Sequence, residues 1–420
     1  MRYGLRCVNC GQEYDPRKPI YLCPRCGKRE VQGIWIFDGL LKVFYDMKAV
    51  SAKLNREVLE SRKPGMWKYV ELLPVENESM IVSLGEGATP LLKSENLGEV
   101  LGLSNLYLKN EIMTPTGCFK DRENSVAISK ARELGFKSVA CSSTGSLAAS
   151  LASYSNRGKV KSYVFVPAST PPGKITHMMM CGVNVIVVKS MIYEVVLKLQ
   201  IEACQKYGWY NCSSAVNPFR NEGDKTIAFE IVEELGWRSP DWVIVPTGGG
   251  GNLSGEWKGF NEFCQLGLIS SLPRMVAVQM EAGGSLADSF LKRKDSVEPV
   301  KIRESVGGAL LAAYSDYGKV ALDTLRDSNG KAVLVGDEET LEAQKLLART
   351  EGIFAEPSSA AVIAGIKKMT DRGEIGKRDS VVCLITGNGL KDLPTAERNV
   401  GKPPVIGPSL EELDEVLRAG

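Results

Sequence analysis

The sequence predicts an α/β fold made of two doubly wound domains with mostly parallel sheets, preceded by a small cysteine-rich segment. Short apolar runs alternate with amphipathic segments between residues 81 and 399, a pattern typical of parallel sheets covered by helices on both faces. This region is longer than one doubly wound unit usually is, so we expect two. Four cysteines within the first 26 residues mark the separate N-terminal segment.

The N-terminal segment contains two cysteine pairs. Two residues lie between Cys7 and Cys10 and between Cys23 and Cys26, and twelve residues separate the pairs. Thiolates at this spacing sit on two tight turns and close a tetrahedral zinc site. A segment this short has too little core to fold without a metal. Because four cysteine ligands leave no open position, we expect a structural zinc ion.

Buried strands are predicted where runs rich in valine and isoleucine are bounded by turn residues. The predicted strands cover residues 138–143, 161–167, 183–188, 242–247, 274–279 and 381–386, and the predicted helices cover residues 121–134, 191–207, 225–235 and 338–349. Glycine-rich turns follow three of these strands directly, at residues 145, 248–251 and 387–389. Ligands in open α/β sheets bind at the carboxyl ends of strands, so these turns predict one shared cleft between two domains.

These patterns divide the chain into five predicted parts. They are a zinc ribbon over residues 1–45, a helical linker over 46–80, an N-terminal α/β domain over 81–215, a C-terminal α/β domain over 216–405 and a C-terminal helix over 406–420.

Charge and composition exclude several classes of function. The 52 Lys and Arg and the 50 Asp and Glu are mixed along the chain, unlike the basic surface of a nucleic-acid-binding protein. The sequence contains neither an apolar stretch long enough to span a membrane nor an apolar leader, so we expect a cytoplasmic protein. The one histidine, His177, lies in a predicted helix. Catalysis therefore needs another base, and a lysine tuned by a cofactor is the natural candidate.

Lys120 lies where a loop leads into a predicted helix, in the segment PTGCFKDR over residues 115–122. The positive end of the helix dipole disfavours the ammonium form of a lysine in the first turn. A neutral amine at that position can form an imine with a carbonyl group. An ordinary surface lysine is the alternative interpretation of the same residue.

A second motif presents backbone N–H groups to an anion. Its glycines follow a predicted strand and precede a predicted helix, which is the arrangement of phosphate-binding loops. It lacks the lysine and hydroxyl residue of a Walker loop and the spacing of a Rossmann motif. The residues predicted to bind phosphate are Gly248, Gly249, Gly250, Gly251 and Asn252.

Two further strand ends carry polar residues. Ser143, Thr144 and Ser146 surround a turn between a strand and a helix, where hydroxyls and N–H groups suit a carboxylate or a ring oxygen. An ordinary helix N-cap explains the same residues equally well. Thr386 closes a buried strand and could face a bound ring.

Together these motifs resemble the tryptophan-synthase-β-like, or fold type II, pyridoxal-phosphate enzymes, and among them the threonine synthases. Three other segments carry the same resemblance: LGEGATPL over residues 84–91, VNPFRNEGDKT over 216–226 and AEPSSA over 355–360. The resemblance covers about residues 80–400. It implies a pyridoxal 5'-phosphate cofactor and a homodimer, and an N-terminal cysteine ribbon is common in the microbial members.

The resemblance also implies roles for individual residues. Lys120 holds the cofactor as a Schiff base and moves protons, with Phe119 and Ser146 beside the cofactor. The cofactor phosphate lies on the glycine loop and Asn252, and Thr386 meets the pyridine nitrogen. A small phosphorylated amino acid is the implied substrate, and its predicted contacts are Ser143, Thr144, Lys174 and Arg220.

The implied activity is the conversion of O-phospho-L-homoserine and water to L-threonine and phosphate. Several departures from the family keep other activities open: Ser146 replaces an asparagine, Glu123 a glycine and Asn388 a histidine. β-Replacement on O-phosphoserine, as in cysteate synthase, also suits Lys174 and Arg220. The four-glycine loop also resembles that of threonine and serine dehydratases. A non-catalytic binding protein on an enzyme fold is the last alternative.

Overall fold

The structure is a computed structural model. It describes residues 2–31, 33–143, 145–168, 170, 172–190, 193–214 and 216–419, and the side chains at 172–174, 177, 194 and 419 lie outside this description.

The strands are numbered in chain order. They are β1 (Tyr3–Cys7), β2 (Glu13–Tyr14), β3 (Arg29–Val31), β4 (Ile34–Ile36), β5 (Leu41–Tyr45), β6 (Leu91–Lys93), β7 (Asn105–Asn110), β8 (Ser138–Ser142), β9 (Lys161–Pro167), β10 (Asn184–Val188), β11 (Tyr210–Asn211), β12 (Trp242–Pro246), β13 (Arg274–Met280), β14 (Lys331–Val335) and β15 (Ser380–Ile385).

The helices are numbered in the same way. They are α1 (Met47–Ser51), α2 (Arg56–Ser61), α3 (Glu95–Leu101), α4 (Lys120–Glu133), α5 (Ser146–Arg157), α6 (Pro172–Met180), α7 (Tyr193–Tyr207), α8 (Asn221–Glu234), α9 (Gly251–Gln265), α10 (Ser285–Leu291), α11 (Gly318–Asp327), α12 (Asp337–Glu351), α13 (Pro357–Asp371), α14 (Leu393–Val400) and α15 (Leu410–Ala419). Among the residues that the structure describes, no helix is long and apolar enough to cross a membrane.

Two mostly parallel sheets form the body of the molecule. Within the described residues, the larger sheet has the order β14-β13-β12-β15-β7-β6, and β6 alone runs antiparallel to its neighbour. The smaller sheet has the order β10-β9-β8-β11 and is parallel throughout. These sheets confirm the predicted α/β fold, and each of the predicted strands is present within one residue of its expected ends.

Sheet membership departs from the predicted domain boundary. β6 and β7 lie in the range predicted for the N-terminal domain, yet β7 pairs with β15 from Ser380↔Asn105 to Ile385↔Asn110. The sequence analysis did not predict β7 because Lys109 interrupts its apolar pattern. In the structure the Lys109 ammonium is fully buried, 2.9 Å from the carboxylate of Glu230 and 2.6 Å from that of Glu234.

The predicted helical linker contains two short helices instead of one long one. α1 ends at Ser51, and Asn55 begins the second helix, since its side chain accepts a hydrogen bond from Val58 N at 2.9 Å and caps α2. Asp46 caps α1 in the same manner. At the other end of the chain, α15 confirms the predicted C-terminal helix.

The N-terminal ribbon packs against α8 and α9, the helices on either side of β12 and the glycine loop in the chain. β1 pairs antiparallel with both β2 and β5. Tyr45 in β5 donates a hydrogen bond to Glu222 Oε2 at 2.9 Å, and Lys258 in α9 donates to the Val43 carbonyl at 2.7 Å. The ribbon is therefore connected to α8 and α9 by buried polar contacts as well as by packing.

Glycines allow α4, α8 and α9 to approach closely. A Cβ on Gly223 would overlap the Arg122 carbonyl, and a Cβ on Gly259 would overlap the Lys225 carbonyl. A buried ion pair supports the first contact, since Arg122 Nη1 lies 2.7 Å from Glu230 Oε1. Burial alone would raise the pKa of Glu230, but the charges of Arg122 and Lys109 outweigh it and hold that pKa well below its usual range. The three helices therefore form one tightly packed unit.

Candidate active site

The four-glycine turn joins β12 to α9 and exposes its amide groups. The Gly248 carbonyl accepts hydrogen bonds from Gln279 Nε2 at 3.0 Å and Ser315 Oγ at 3.1 Å, and the Gly249 carbonyl accepts one from Tyr317 N at 2.8 Å. In the described part of the chain, the N–H groups of residues 249–252 donate to no protein oxygen. Free amides at the start of a helix form a binding site for an anion.

Side chains beside this turn also lack partners. Asn252 is buried, and neither its amide nitrogen nor its oxygen has a hydrogen-bond partner among the described residues. Asn221 Nδ2 is also buried without a hydrogen-bond partner among the described residues. It lies against the turn, since a Cβ on Gly251 would be 2.8 Å from it. Because buried polar groups are nearly always hydrogen-bonded, these orphaned atoms indicate a polar ligand at the turn.

Lys120 is the first residue of α4, and the loop before it pairs with the end of β15. Phe119 N donates to the Thr386 carbonyl at 3.0 Å, and Cys118 and Gly387 form a β-bridge. Burial lowers the pKa of Lys120 to about 8, although the charge of Asp224 acts in the opposite direction. About a tenth of the amine is therefore neutral at pH 7.

Thr386 lies beside Lys120 at the carboxyl end of β15. Its hydroxyl is 2.7 Å from the hydroxyl of Ser359 in α13, and Ser359 also accepts a hydrogen bond from Gly387 N at 2.7 Å. Ser359 belongs to the segment AEPSSA, but no role was predicted for it from the sequence. The pair places two neutral hydroxyls at this strand end.

The serine turn lies between β8 and α5. Ser143 is buried and accepts a hydrogen bond from Gly145 N at 3.2 Å, and Ser146 opens α5. Among the described residues, no hydrogen bond joins either serine to Lys120, although Ser150 further along α5 donates to Asp121 in α4 at 2.6 Å. Thr144 lies outside the described residues.

Two predicted substrate contacts lie on helices. Lys174 belongs to α6, with its side chain outside the described part of the structure. Arg220 directly precedes α8 and is fully buried, and its Nη2 contacts the Glu123 carboxylate. Its Nε and Nη1 have no partner among the described residues. Burial lowers the pKa of Arg220 to about 10, so the guanidinium stays charged at neutral pH with donors available to an anion.

Comparison with known proteins decides the family of this chain. The family model described as "Pyridoxal-phosphate dependent enzyme" matches residues 82–387. This chain belongs to that family. Within it, the chain is 42% identical to the threonine synthase of Methanocaldococcus jannaschii over 98% of its own length and 99% of the relative's. It is 39% identical to the threonine synthase of Methanosarcina acetivorans, over 99% and 98% of the two lengths.

Solved structures of this enzyme family share the fold. Threonine deaminase isoform 2 from Solanum lycopersicum superposes with a TM-score of 0.64 at 20% identity, covering 81% of this chain and 96% of the other. Maize serine racemase gives a TM-score of 0.63 at 20% identity, with coverages of 78% and 93%. At this level of identity the likeness establishes the fold type II architecture and no more.

Pyridoxal phosphate, the family's cofactor, fits the residues of the site. The free amides of the glycine turn and the unpartnered Asn252 suit its phosphate. The glycine turn follows β12, and Lys120 supplies an amine beside the end of the neighbouring strand, β15. The hydroxyl of Thr386 suits the pyridine nitrogen, because a neutral donor does not hold that nitrogen protonated as a carboxylate would. The individual roles predicted for these residues stay predictions.

Two acidic residues of the site were not assigned by the sequence analysis. Glu123 was noted only as a departure from the family, and Asp224 only as part of a matching segment. Burial raises the pKa of Asp224 to about 7, opposed by the charges of Lys120 and Arg220. The available signal was helical spacing, since residues three or four apart share a helix face. That spacing relates Glu123 to Lys120 and Asp224 to Arg220.

The four N-terminal cysteines converge within the ribbon. Their Sγ atoms all lie within 4.8 Å of one another, and Cys10 Sγ is 3.7 Å from Cys23 Sγ. Sulfur atoms about 3.8 Å apart are what four Zn–S bonds of about 2.3 Å produce in a tetrahedron. The four sulfur atoms therefore have the spacing of a tetrahedral zinc site.

A substitution at Gly250 tests the glycine turn. Gly250 has a φ of +92°, and a Cβ there would lie 2.7 Å from Ala321 Cβ. We expect Gly250→Ala to raise the Kd for pyridoxal phosphate about tenfold or more, because the turn that binds the phosphate must shift to relieve both the overlap with Ala321 and a left-handed strain of about 1–2 kcal/mol. Titration of the apo-protein with the cofactor, followed by absorbance, measures this change.

Gly267→Ala is the matched control. Gly267 has a comparable φ of +72°, but a Cβ there would meet no atom within 4 Å. This variant carries similar backbone strain beyond the far end of α9 and should keep the wild-type Kd. Equal cofactor affinities for the two variants would contradict the assignment of the glycine turn.

Proposed function

We propose that the protein converts O-phospho-L-homoserine and water to L-threonine and inorganic phosphate. The observation that carries this proposal is the buried Arg220, which has two unpartnered donor nitrogens and is linked to Lys120 through one carboxylate. A guanidinium in that position suits a substrate that brings a phosphate group to the lysine. The similarity to threonine synthases along almost the whole chain supports the same activity.

Lys120 and Arg220 have separate roles in this reaction. Bound pyridoxal phosphate supplies an electron sink for negative charge at the substrate's Cα. The Lys120 amine removes protons at Cα and Cβ, which its lowered pKa permits near neutral pH. Arg220 holds the substrate phosphate and stabilises its charge as the Cγ–O bond breaks. Water then adds at Cβ, and protons return to Cγ and Cα.

β-Replacement on O-phosphoserine is the second candidate. Its substrate also carries a phosphate leaving group, so the same arrangement of Lys120 and Arg220 supports it. One residue of the serine turn favours β-replacement over the reaction of threonine synthases. That residue is Ser146, which occupies a position where threonine synthases have asparagine. A dehydratase would have no use for a buried arginine with free donors.

Phosphate release identifies the substrate. We expect the holoenzyme to release phosphate from O-phospho-L-homoserine and to form threonine, identified by mass. Arg220→Lys keeps the charge but loses the planar fork, and should raise KM for this substrate about tenfold or more, since hydrogen bonds to charged groups contribute about 1.5–3 kcal/mol.

Other products would contradict the proposal in distinct ways. Phosphate released only from O-phospho-L-serine, with sulfite or sulfide as acceptor, identifies β-replacement. An oxoacid formed from serine or threonine, with no turnover of either phosphorylated substrate, identifies a dehydratase.

A structural zinc ion in the ribbon is the second part of the proposal. The spacing of the four sulfur atoms supports a tetrahedral metal site. Four thiolate ligands leave no open position on the ion, so the ion stabilises the fold and takes no part in the reaction. A cytoplasmic location and a homodimer also remain predictions.

Metal analysis tests the ribbon. We expect about one zinc per chain, because four thiolates bind a single ion. Cys26→Ser should lose the metal and lower the melting temperature, whereas Cys264→Ser, a cysteine of similar partial exposure outside the cluster, should change neither. Protein without zinc, together with equal melting temperatures for both variants, would exclude the metal site.

A further inference from the structure

The N-terminal ribbon contacts elements of both main sheets. On the side of the smaller sheet, Tyr21 packs its ring edge-on against Tyr210 in β11, with 5.8 Å between the ring centroids. On the side of the larger sheet, Lys258 in α9 donates a hydrogen bond to the Val43 carbonyl. A buried apolar cluster joins the ribbon to both sides, and its members are Phe37, Leu40, Leu197, Ile201, Val216 and Tyr317. The ribbon therefore bridges the two halves of the molecule.

Tyr21 makes a polar contact within this bridge. Among the described residues, β11 pairs only with β8 and forms an edge of the smaller sheet. The N–H group of Asn211 in β11 donates a hydrogen bond to the Tyr21 hydroxyl oxygen at 2.9 Å, and Asn211 is buried. Buried backbone N–H groups nearly always have a partner. The ribbon hydroxyl thus takes the place of a neighbouring strand at this edge.

Hydrogen bonds continue from β11 to the residue before Arg220. Asn217 Nδ2 donates to the Asn211 carbonyl at 2.7 Å, and Asn217 Oδ1 accepts from Phe219 N at 2.9 Å. Asn217 and Phe219 are both buried, and Phe219 directly precedes Arg220 in the chain. Three successive hydrogen bonds therefore connect the Tyr21 hydroxyl to the backbone that carries the guanidinium.

We propose that Tyr21 is a positioning residue for the substrate phosphate. Its hydroxyl fixes β11, and through Asn217 it fixes the backbone from which Arg220 reaches the phosphate. A guanidinium binds a phosphate with two parallel hydrogen bonds only in one relative orientation. A small displacement of that backbone therefore weakens binding. Tyr21 acts only through other residues, and this inference rests on the proposed function.

Removal of one hydroxyl tests this role, because Tyr21→Phe keeps the ring and its packing. In the holoenzyme, KM for O-phospho-L-homoserine and Kd for inorganic phosphate should both rise about three- to tenfold, the contribution of one neutral hydrogen bond. The kcat should change by less than about twofold, because losing an interaction common to the ground state and the transition state raises KM alone. Steady-state kinetics and calorimetric titration with inorganic phosphate measure these constants. A lower kcat with unchanged KM and Kd indicates less folded enzyme and overturns the inference.

Tyr69→Phe is the matched control. Tyr69 is fully buried, and its hydroxyl donates to Glu233 Oε1 at 2.7 Å near the far end of α8. This variant also loses a hydroxyl that holds α8, but at the end away from Arg220. It should keep the wild-type KM and the wild-type Kd for inorganic phosphate, even where its melting temperature falls. Equal increases in both variants would show a general loss of stability and would overturn the inference.

A double-mutant cycle tests the path of hydrogen bonds. Asn217→Ala removes the second and third of them, and should raise KM and Kd at least as much as Tyr21→Phe does. Tyr21→Phe added to Asn217→Ala should then have little further effect, because both changes interrupt one path. Fully additive effects would mean that Tyr21 acts by another route, and would overturn the inference.

Binding of inorganic phosphate separates this inference from the proposed function. Wild-type holoenzyme that releases no phosphate from O-phospho-L-homoserine fails the proposed function. The Kd for inorganic phosphate then decides the role of Tyr21 by itself. An equal Kd in the wild type and in Tyr21→Phe, or a wild-type holoenzyme that binds no inorganic phosphate, overturns the inference.

Discussion

The site depends on the contact between α4 and α8 at Gly223. No side chain separates the two backbones there, because any Cβ on Gly223 would overlap the Arg122 carbonyl. Lys120 is the first residue of α4 and Arg220 directly precedes α8, so this contact brings two basic residues together. The ion pair between Arg122 and Glu230 holds the same two helices against each other. A bulkier residue at position 223 would separate the two halves of the site.

Burial makes the charge balance of the site unusual. Glu123 pairs with both basic residues, whereas burial raises the pKa of Asp224 to about 7 and that of Glu256 well above its usual range. Burial therefore disfavours the charged form of Asp224 and of Glu256, whereas Arg220 keeps its positive charge. Such a balance suits a site that receives a cofactor phosphate and a substrate phosphate.

The local sequence pattern was enough to predict six of the ten strands in the two main sheets and the motifs at their ends. Strands buried on both faces are continuous apolar runs, and the carboxyl ends of parallel strands meet at one edge of a sheet. The contact between Phe119 N and the Thr386 carbonyl confirms that two distant motifs share that edge. β7 was not predicted, because its Lys109 is buried against acidic residues more than 100 positions away in the chain. The sequence around Lys109 gives no sign of these distant partners.

Glu123 illustrates the same limit at the site. An acidic residue in the first turn of a helix is ordinarily explained by the helix dipole, and its sequence neighbours give no sign that Arg220 lies against it. Only the packing of α4 on α8 reveals that its carboxylate is shared by two basic groups. The same applies to Ser359, whose contact with Thr386 joins α13 to the end of β15. Residues that act across helices are found from the fold.

Borohydride reduction of the cofactor-loaded protein, followed by peptide mapping, tests the central claim most directly. Reduction fixes the cofactor to the nitrogen that holds it. The account predicts one pyridoxyl group per chain on Lys120. A group on another buried lysine, such as Lys130 or Lys225, or a protein that carries no group at all, would contradict it.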